Sequence, residues 1–228
     1  MMETMKATET TPPREPLDRA AIVAAAMALA DEHGVRALTM RKLAGSLGYE
    51  VMSLYNHVAN KGEVLTLMVD AVGAEVGDPP PDAEPLQAVR ALALATRAAF
   101  LRHPWAPELW QQHMPGPARI DGMENLLRTL ARTGLSADLA HHGFHAVNNH
   151  VLGYTLQEME MNLGHDPNDA QAEIKEFMAE VSPDTHPHTI AHVRQHLDGD
   201  TASSFELVLD LILDGLVHLH ESSPASDG

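Results

Sequence analysis

Residues 38–65 read LTMRKLAGSLGYEVMSLYNHVANKGEVL, and the spacing of three residues within them indicates a helical motif. Ala44, Gly48 and Leu54 follow one another four and then six residues apart. In a helix-turn-helix, the first helix needs a small residue where the helices cross, the turn needs a glycine, and the second helix needs an apolar anchor. The spacing therefore predicts a helix-turn-helix, and an ordinary helical hairpin is the alternative.

Helix signals on both sides extend this motif into a small helical domain. Asp18 is placed to cap a first helix that ends at Gly34, and Thr39 is placed to cap the second. A third short helix is predicted over residues 51–57, and a fourth from about residue 60 to residue 76. We therefore expect three helices followed by a fourth that leads out of the domain.

The charge of the chain is unevenly distributed. The formal net charge is −17, but residues 14–70 hold six Lys and Arg against seven Asp and Glu and so carry only −1. The other segments are strongly acidic, and a polyanion repels acidic surfaces. Any contact with nucleic acid is therefore expected within the first 70 or so residues.

The composition is typical of a soluble globular protein without disulfides. The chain has 228 residues and no cysteine, and 44% of its residues are hydrophobic. No apolar run approaches the roughly 20 residues of a membrane-spanning helix, and residues 1–16 lack the apolar core of a signal peptide. We therefore expect a cytoplasmic protein with a flexible N-terminal tail and no membrane partner.

The rest of the chain keeps a helical pattern, and strand-like alternation is hardly visible. Ser136 is placed to cap a long helix, and the last helix is apolar over most of its circumference. The sequence therefore predicts an all-α fold. The helices expected in this larger part cover about residues 86–102, 120–130, 136–163, 173–181, 188–197 and 205–220.

The first part of the chain, about residues 17–70, resembles the DNA-binding domain of the tetracycline repressor family of transcription regulators. The resemblance implies a linking fourth helix and a larger helical domain that binds a small-molecule effector and dimerises. In the larger part, the similarity is looser and lies in the order of the helices and in the long helix capped by Ser136. The residues that carry the resemblance are Leu38, Thr39, Leu43, Ala44, Leu47, Gly48, Leu54, Tyr55, His57, Val58 and Lys61.

On this basis we divide the chain into four parts and expect a homodimer. The long helix after Ser136 and the final helix are candidates for a four-helix bundle between two subunits, with a purely intrachain core as the alternative. Two DNA-binding domains about one helical turn apart, roughly 34–36 Å, would contact a palindrome. The parts are a flexible tail (1–16), the helix-turn-helix domain with its linking helix (17–76), a linker (77–85), and the ligand-binding and dimerisation domain (86–222).

Two groups of side chains are candidates for DNA contact. The first turns of the third helix would enter a major groove, where Val51 and Met52 suit thymine methyl groups and Asn56 suits adenine. Thr39 and Lys61 lie near helix N-termini, whose free N–H groups also attract phosphate. The complete set is Thr39, Val51, Met52, Ser53, Tyr55, Asn56, His57 and Lys61.

Some of these residues have packing as an alternative role, and one neighbour departs from the family pattern. Tyr55 and Val51 can fill the small core, and a lone histidine such as His57 is often a surface or packing residue. Glu50 stands where the family often has a small capping residue. A carboxylate can cap a helix or accept from a cytosine amino group, but it also repels phosphate. We therefore expect weakened nonspecific DNA binding.

The larger part contains a pattern typical of a small-molecule pocket. Along the predicted long helix, four residues at i, i+4, i+7 and i+11 place polar groups beside an apolar stripe. Such pockets are mostly apolar, with a few groups that orient the ligand. Aromatic side chains and histidines around a proline-broken stretch are expected to form the opposite wall. The candidates are Phe100, His103, Trp105, Trp110, His113, His141, His145, Asn148 and Leu152.

The histidines also raise the question of a metal site. His188, His192 and His196 fall at i, i+4 and i+8, and the chain holds 15 histidines. Imidazoles at this spacing can bind zinc. However, neither cysteine nor carboxylate accompanies them, and an HExxH motif is absent from the sequence. A solvated, pH-sensitive face is the simpler interpretation, and we expect no metal and no cofactor.

These observations predict a ligand-responsive regulator that represses transcription. It is expected to bind a palindromic operator as a homodimer and to be released by a small-molecule effector. A histidine-rich metal-dependent enzyme is one alternative, although no nucleophile motif or phosphate-binding loop supports catalysis. An effector-independent DNA-binding protein is the other, and the acidic composition argues against it. We predict no catalytic residues.

Overall fold

The structure of the protein, a computed structural model, describes residues 16–162, 167–198 and 202–222. Within these ranges every regular element is a helix, which confirms the all-α prediction. None of the helices in them is both long enough and apolar enough to cross a membrane. The helices are α1 (Arg19–His33), a 3₁₀ turn (Val35–Ala37), α2 (Met40–Leu47), α3 (Val51–Leu54), α4 (Lys61–Ala74), α5 (Pro85–Arg102), α6 (Ala106–Trp110), α7 (Pro117–Ala131), α8 (Ala137–Asn162), α9 (Pro167–Glu180), α10 (Pro187–Asp198) and α11 (Ala202–Ser222).

Local side-chain caps set where the first helices begin and end. The side chains of Asp18, Thr39 and Asn60 accept hydrogen bonds of 2.7, 3.2 and 3.0 Å from backbone N–H groups three residues further along. Each bond satisfies one of the N–H groups that a helix N-terminus leaves without a partner. Gly34 and Gly48 end α1 and α2 with φ values of 76° and 72°, which favour glycine.

The helix-turn-helix prediction is confirmed by how α2 and α3 pack. Ala44 is 1% exposed at the helix crossing, Gly48 occupies the left-handed turn, and Leu54 is fully buried as the anchor of α3. The side chains of Ala44 and Leu54, together with Ile22 and Val58, form a small core among α1–α4. This core orients α3 relative to α1.

The larger part of the molecule is built around α8. This helix packs against α5, α7 and α11, and Ser136 caps it by accepting a 3.2 Å hydrogen bond from the backbone N–H of Leu139. Phe100, Leu130 and Phe205, from α5, α7 and α11, are among the fully buried side chains between them. The predicted helix order is therefore observed.

One short helix, α6, differs from the sequence prediction of a proline-broken stretch. Pro107 lies in its first turn, where a missing N–H costs no hydrogen bond, so the proline begins the helix instead of interrupting it. α9 also begins earlier than predicted, at Pro167 rather than near residue 173. Both differences arise from proline at a helix start.

The linking helix α4 belongs to both parts of the molecule. It packs against α1 on the DNA-binding side and against α5, α6 and α7 on the other. Val64, Met68, Val69 and Val72 are completely buried along it, so one continuous hydrophobic core runs through both parts. A displacement of α7 relative to α5 would therefore act directly on α4.

Candidate DNA interface and ligand cavity

The helix-turn-helix presents large side chains to solvent at α3. Met52 is 72% exposed and Tyr55 is 42% exposed, so neither fills the core, and Asn56 is also exposed. α3 itself is shorter than predicted: it ends at Leu54, and residues 55–57 form a hydrogen-bonded turn. The exposed residues thus lie near the start of this short helix, at Met52, and in the turn after it, at Tyr55 and Asn56.

Other predicted DNA contacts are partly engaged in the fold. Val51 is half-buried and packs against the core, which favours its packing alternative, and Ser53 is half-buried as well. Thr39 is exposed, although its hydroxyl already caps α2. Lys61 is the first residue of α4 and is partly exposed there.

An ion pair that the sequence did not reveal positions the turn before α4. Arg19 contacts Glu63 at 2.5 Å and donates from Nε to the carbonyl of His57 at 3.2 Å. The second carboxylate oxygen of Glu63 accepts a 2.6 Å hydrogen bond from the N–H of Ala59. These bonds join α1, the turn and the start of α4, the segments that carry the half-buried His57 and Lys61.

Glu50 does not have the capping role that was one of its expected functions. It lies at the N-cap position of α3, but its side chain makes no capping hydrogen bond. The residue is exposed, so its charge stands beside the solvent-facing side of α3. Repulsion of phosphate by this carboxylate stays a prediction.

A cavity of about 450 Å³ lies in the larger part of the molecule, within the size range of small-molecule sites. Its wall comes from α4, α5, the end of α6, the loop between α6 and α7, α7 and α8. Gly122 contributes to the open space, since a Cβ atom added there would meet no atom within 4 Å. The lining side chains include Leu92, Thr96, Trp110, His113, Met114, Arg119, Met123, Leu126, Phe144, His145, Asn148 and Val151.

Four of the nine predicted ligand residues lie in this wall: Trp110, His113, His145 and Asn148. Trp110 and His113 come from the end of α6 and the loop after it, whereas His145 and Asn148 come from the middle of α8. The structure thus brings together the two walls that were predicted separately.

The other five predicted ligand residues do not line the cavity. On α8 the cavity borders residues 144–151 only, a short part of a 26-residue helix. His141 is therefore exposed one turn outside it, and Leu152 packs against the core. Phe100 is buried behind Trp110, with ring centroids 4.9 Å apart.

His103 and Trp105 instead contact the DNA-binding part. Trp105 Nε1 donates to Asp31 Oδ1 at 2.6 Å, and the two ring nitrogens of His103 lie 2.8 Å from Asp31 and 2.9 Å from Glu75. These polar groups therefore join α1 and α4 to the end of α5. Partial burial of Glu75 opposes ionisation, but hydrogen bonds from Arg102 and His103 outweigh it and lower the Glu75 pKa below its usual value.

Arg119 is the main cavity residue that the sequence analysis missed. It is only 9% exposed, and its guanidinium donates to the carbonyls of His113 (3.0 Å) and Trp110 (2.7 Å). The guanidinium carbon also lies 4.2 Å from the centroid of the Trp110 ring. Burial lowers the pKa of Arg119, and the charge of Asp70 opposes this effect. The sequence pattern that could have identified Arg119 is its spacing with Met123 and Leu126, at i, i+4 and i+7 on one face of the helix.

The cavity wall is hydrogen-bonded to α4. Thr66 Oγ1 lies 2.9 Å from Nδ1 of His113. Asp70 accepts from the backbone N–H groups of Ala118 (3.3 Å) and Arg119 (2.9 Å) at the start of α7. At Gly73 the approach is so close that an added Cβ would lie 2.7 Å from Cγ of Arg119. Any shift of this wall therefore reaches α4 directly.

The histidine clusters form no metal site in the part of the chain that the structure describes, where no three His, Asp or Glu side chains are grouped to hold an ion. His188 and His192 are exposed on α10. The side chain of His196 lies outside the described residues. The rings of His141 and His145 meet edge to face, with centroids 4.6 Å apart.

Comparison with known proteins places the chain in a family. The profile "Bacterial regulatory proteins, tetR family" matches residues 22–68, and the profile "Tetracyclin repressor-like, C-terminal domain" matches residues 79–219. The HTH-type transcriptional repressor DrrR1 of Streptomyces coeruleorubidus is 32% identical over 209 residues, which cover 88% of this chain and 76% of the repressor.

Solved structures agree with this placement. Apo ActR from Streptomyces coelicolor has a TM-score of 0.79 at 27% identity, over 92% of this chain and 99% of ActR. The complex of ActR with actinorhodin has a TM-score of 0.77 at 29% identity, over 90% of this chain and 98% of ActR. BioQ with its double-stranded DNA operator has a TM-score of 0.62 at 25% identity, over 89% of this chain and 99% of BioQ. The chain therefore belongs to the tetracycline repressor family of DNA-binding transcription regulators.

Proposed function

We propose that this protein is a cytoplasmic repressor that binds a palindromic operator as a homodimer and is released by a small-molecule effector. The observation that carries this proposal is the hydrogen bonding of the cavity wall to α4, through His113 to Thr66 and through the start of α7 to Asp70. ActR is known in complex with actinorhodin, and BioQ with a DNA operator, which supports both halves of the proposal.

The proposed response follows from the two ends of α4. Lys61, at the N-terminal end, is a candidate phosphate contact, whereas Thr66, Asp70 and Gly73 touch the cavity wall. A ligand shifts such an equilibrium only if it binds one conformation more tightly than the other. An effector that displaces the α6–α7 loop would move α4 and change the separation of the two α3 helices.

A dimer gives this acidic protein enough DNA contacts. On α11, Leu207 and Leu211 are 60% and 62% exposed, and Val208 and Leu219 are also exposed. Monomeric proteins rarely expose a contiguous apolar surface on one helix, so this face of α11 suits contact with a second copy. Doubling the contacts of α3 offsets the lack of a strongly basic surface.

Selection of random duplex DNA by the purified protein tests the proposal. We expect a palindrome with half-sites about one helical turn apart, and we expect the Tyr55→Ala, Lys61→Ala double variant to lose this enrichment. The variant Arg128→Gln, on the surface of α7, is the control and should select the same palindrome. Equal enrichment by the double variant would contradict the assignment of the DNA interface.

A further inference from the structure

The charges around the cavity differ from those of the whole chain. The sequence holds 32 Asp and Glu against 15 Lys and Arg, yet none of the cavity-lining residues is acidic. The titratable side chains in the lining are Arg119, His113 and His145. A cavity that excludes carboxylates in so acidic a chain is suited to a ligand that carries negative charge itself.

Arg119 lacks an ion pair within the described part of the chain. Its guanidinium has five N–H groups, and two backbone carbonyls accept from it. Its buried Nε has no hydrogen-bond partner. The carboxylate whose charge acts on it, Asp70, accepts instead from the backbone N–H groups at the start of α7. A buried cation in this state is stabilised by an anionic oxygen that takes up its remaining donors.

Besides the two histidines, the rest of the wall is largely apolar and aromatic, with the uncharged polar side chains of Thr96, Gln111, Asn148 and Asn149. Trp110, whose ring centroid lies 4.2 Å from the Arg119 guanidinium carbon, and Phe144 are the aromatic lining residues, and Leu92, Leu126 and Val151 are among the aliphatic ones. Aromatic side chains favour flat ring systems that stack on them. The lining thus combines one buried positive charge with a largely apolar cavity of about 450 Å³.

We propose that the effector is an apolar organic anion, in which a carboxylate or an acidic phenol or enol on a ring system pairs with the Arg119 guanidinium. This inference rests on the proposed function, because it takes the cavity as the effector site. An anion that pairs with the guanidinium competes with the carbonyls of Trp110 and His113 for it, and so loosens the α6–α7 loop whose His113 contacts α4.

Two fluorescent probes with the same ring skeleton test the charge preference. 8-Anilino-1-naphthalenesulfonate carries an anionic group, and N-phenyl-1-naphthylamine is its neutral counterpart. The Kd of each is measured by fluorescence titration for the wild type, for Arg119→Gln and for Arg128→Gln, an exposed arginine of the same helix. We expect Arg119→Gln to raise the Kd of the sulfonate about 10-fold or more, and that of the neutral probe less than about 3-fold. Arg128→Gln should change neither.

A measurement on the wild type keeps the test decisive where Arg119→Gln disturbs the fold. 1-Naphthoate should displace the bound sulfonate at a concentration about 10-fold lower than the neutral 1-naphthamide. Equal displacement by the two compounds, or an equal effect of Arg119→Gln on both probes, would overturn the anion preference and leave the cavity as the effector site.

Whether the probes bind inside the cavity is tested separately from their charge preference, because the proposed function depends on the cavity and this inference depends on the charge. Gly122→Phe places a large side chain in the open space of the cavity, whereas Gly122→Ala adds a single methyl group. We expect the Phe variant to abolish binding of both probes and the Ala variant to retain it. Binding of neither probe to the wild type, or equal binding by the Phe variant, would overturn the cavity as the effector site.

Discussion

The contact between Asp70 and the start of α7 depends on a glycine. A Cβ atom added at Gly116, the N-cap residue of α7, would lie 2.5 Å from the Asp70 carboxylate carbon. The absence of a side chain there lets Asp70 reach the N–H groups of Ala118 and Arg119. One residue type thus allows the hydrogen bonds that join α4 to the cavity wall.

Substitution of Gly116 should therefore weaken this connection. We expect Gly116→Ala to lower the free energy of unfolding by about 1–2 kcal/mol, because the carboxylate must move away from the N–H groups that it caps. Gly122→Ala, inside α7 and facing open space, should stabilise the protein by up to about 1 kcal/mol through helix propensity. Urea unfolding followed by circular dichroism measures both, and equal shifts would contradict the steric argument.

Glu75 makes the contact between the two parts of the molecule sensitive to pH. Its pKa is lower in the folded protein than in the unfolded chain, where it is near 4.5. Such a carboxylate adds stability above the unfolded pKa, and this contribution is lost as the pH falls through the lower, folded pKa. The hydrogen bonds of Arg102 and His103 to Glu75 provide the stabilisation.

Glu75→Gln should remove that contribution. At pH 7 we expect the free energy of unfolding to fall by about 1 kcal/mol, and the difference from the wild type to shrink as the pH drops below about 4.5. Glu32→Gln, at a side chain that is 73% exposed, is the control and should have little effect. A Glu75→Gln difference that does not change between pH 7 and pH 4 would exclude this ionic role.

At the scale of one element, the exposed side of α3 and the start of α4 are expected to contribute differently to DNA binding. Met52 extends into solvent from α3, where it can touch base edges, whereas Lys61 begins α4, where it can hold a phosphate. Base contacts determine sequence preference, and phosphate contacts determine general affinity.

Operator titrations at several salt concentrations distinguish these contributions. Lys61→Ala should weaken all duplexes similarly and reduce the slope of log K against log salt by about 1 per subunit. Met52→Ala should reduce discrimination at one base pair of each half-site by about threefold to tenfold, with the salt slope unchanged. The reverse pattern would exchange the two roles.

The helices show why their starts were predictable and one short helix was not. Asp18, Thr39, Asn60 and Ser136 lie within three residues of the N–H groups that they cap, so the sequence itself contains both partners. Pro107 was interpreted as a break, although the same residue is tolerated at a helix start. Which of the two occurs depends on the burial of α6 between its neighbours, and a local pattern does not contain that information.

At the scale of the whole molecule, the proposed homodimer depends on the exposed apolar face of α11. We expect Leu211→Glu to convert the dimer to a monomer and to abolish operator binding, because a charge would be buried in the interface. Phe177→Glu, on α9, replaces another exposed apolar residue and should leave the dimer intact. Light scattering at micromolar concentration gives the mass, and a dimeric Leu211→Glu protein would refute this interface.

The sequence by itself determined the helix-turn-helix and the order of the helices. It also determined that residues 14–70 are nearly neutral while the rest of the chain is strongly acidic. These features depend on residues a few positions apart, such as Ala44 and Gly48. Only the tertiary structure decided that Arg119 lies in the cavity wall and that His103 joins α5 to α1 and α4. The reason is physical: a cavity arises from the relative rotation and separation of several packed helices, which the spacing along any one of them does not specify.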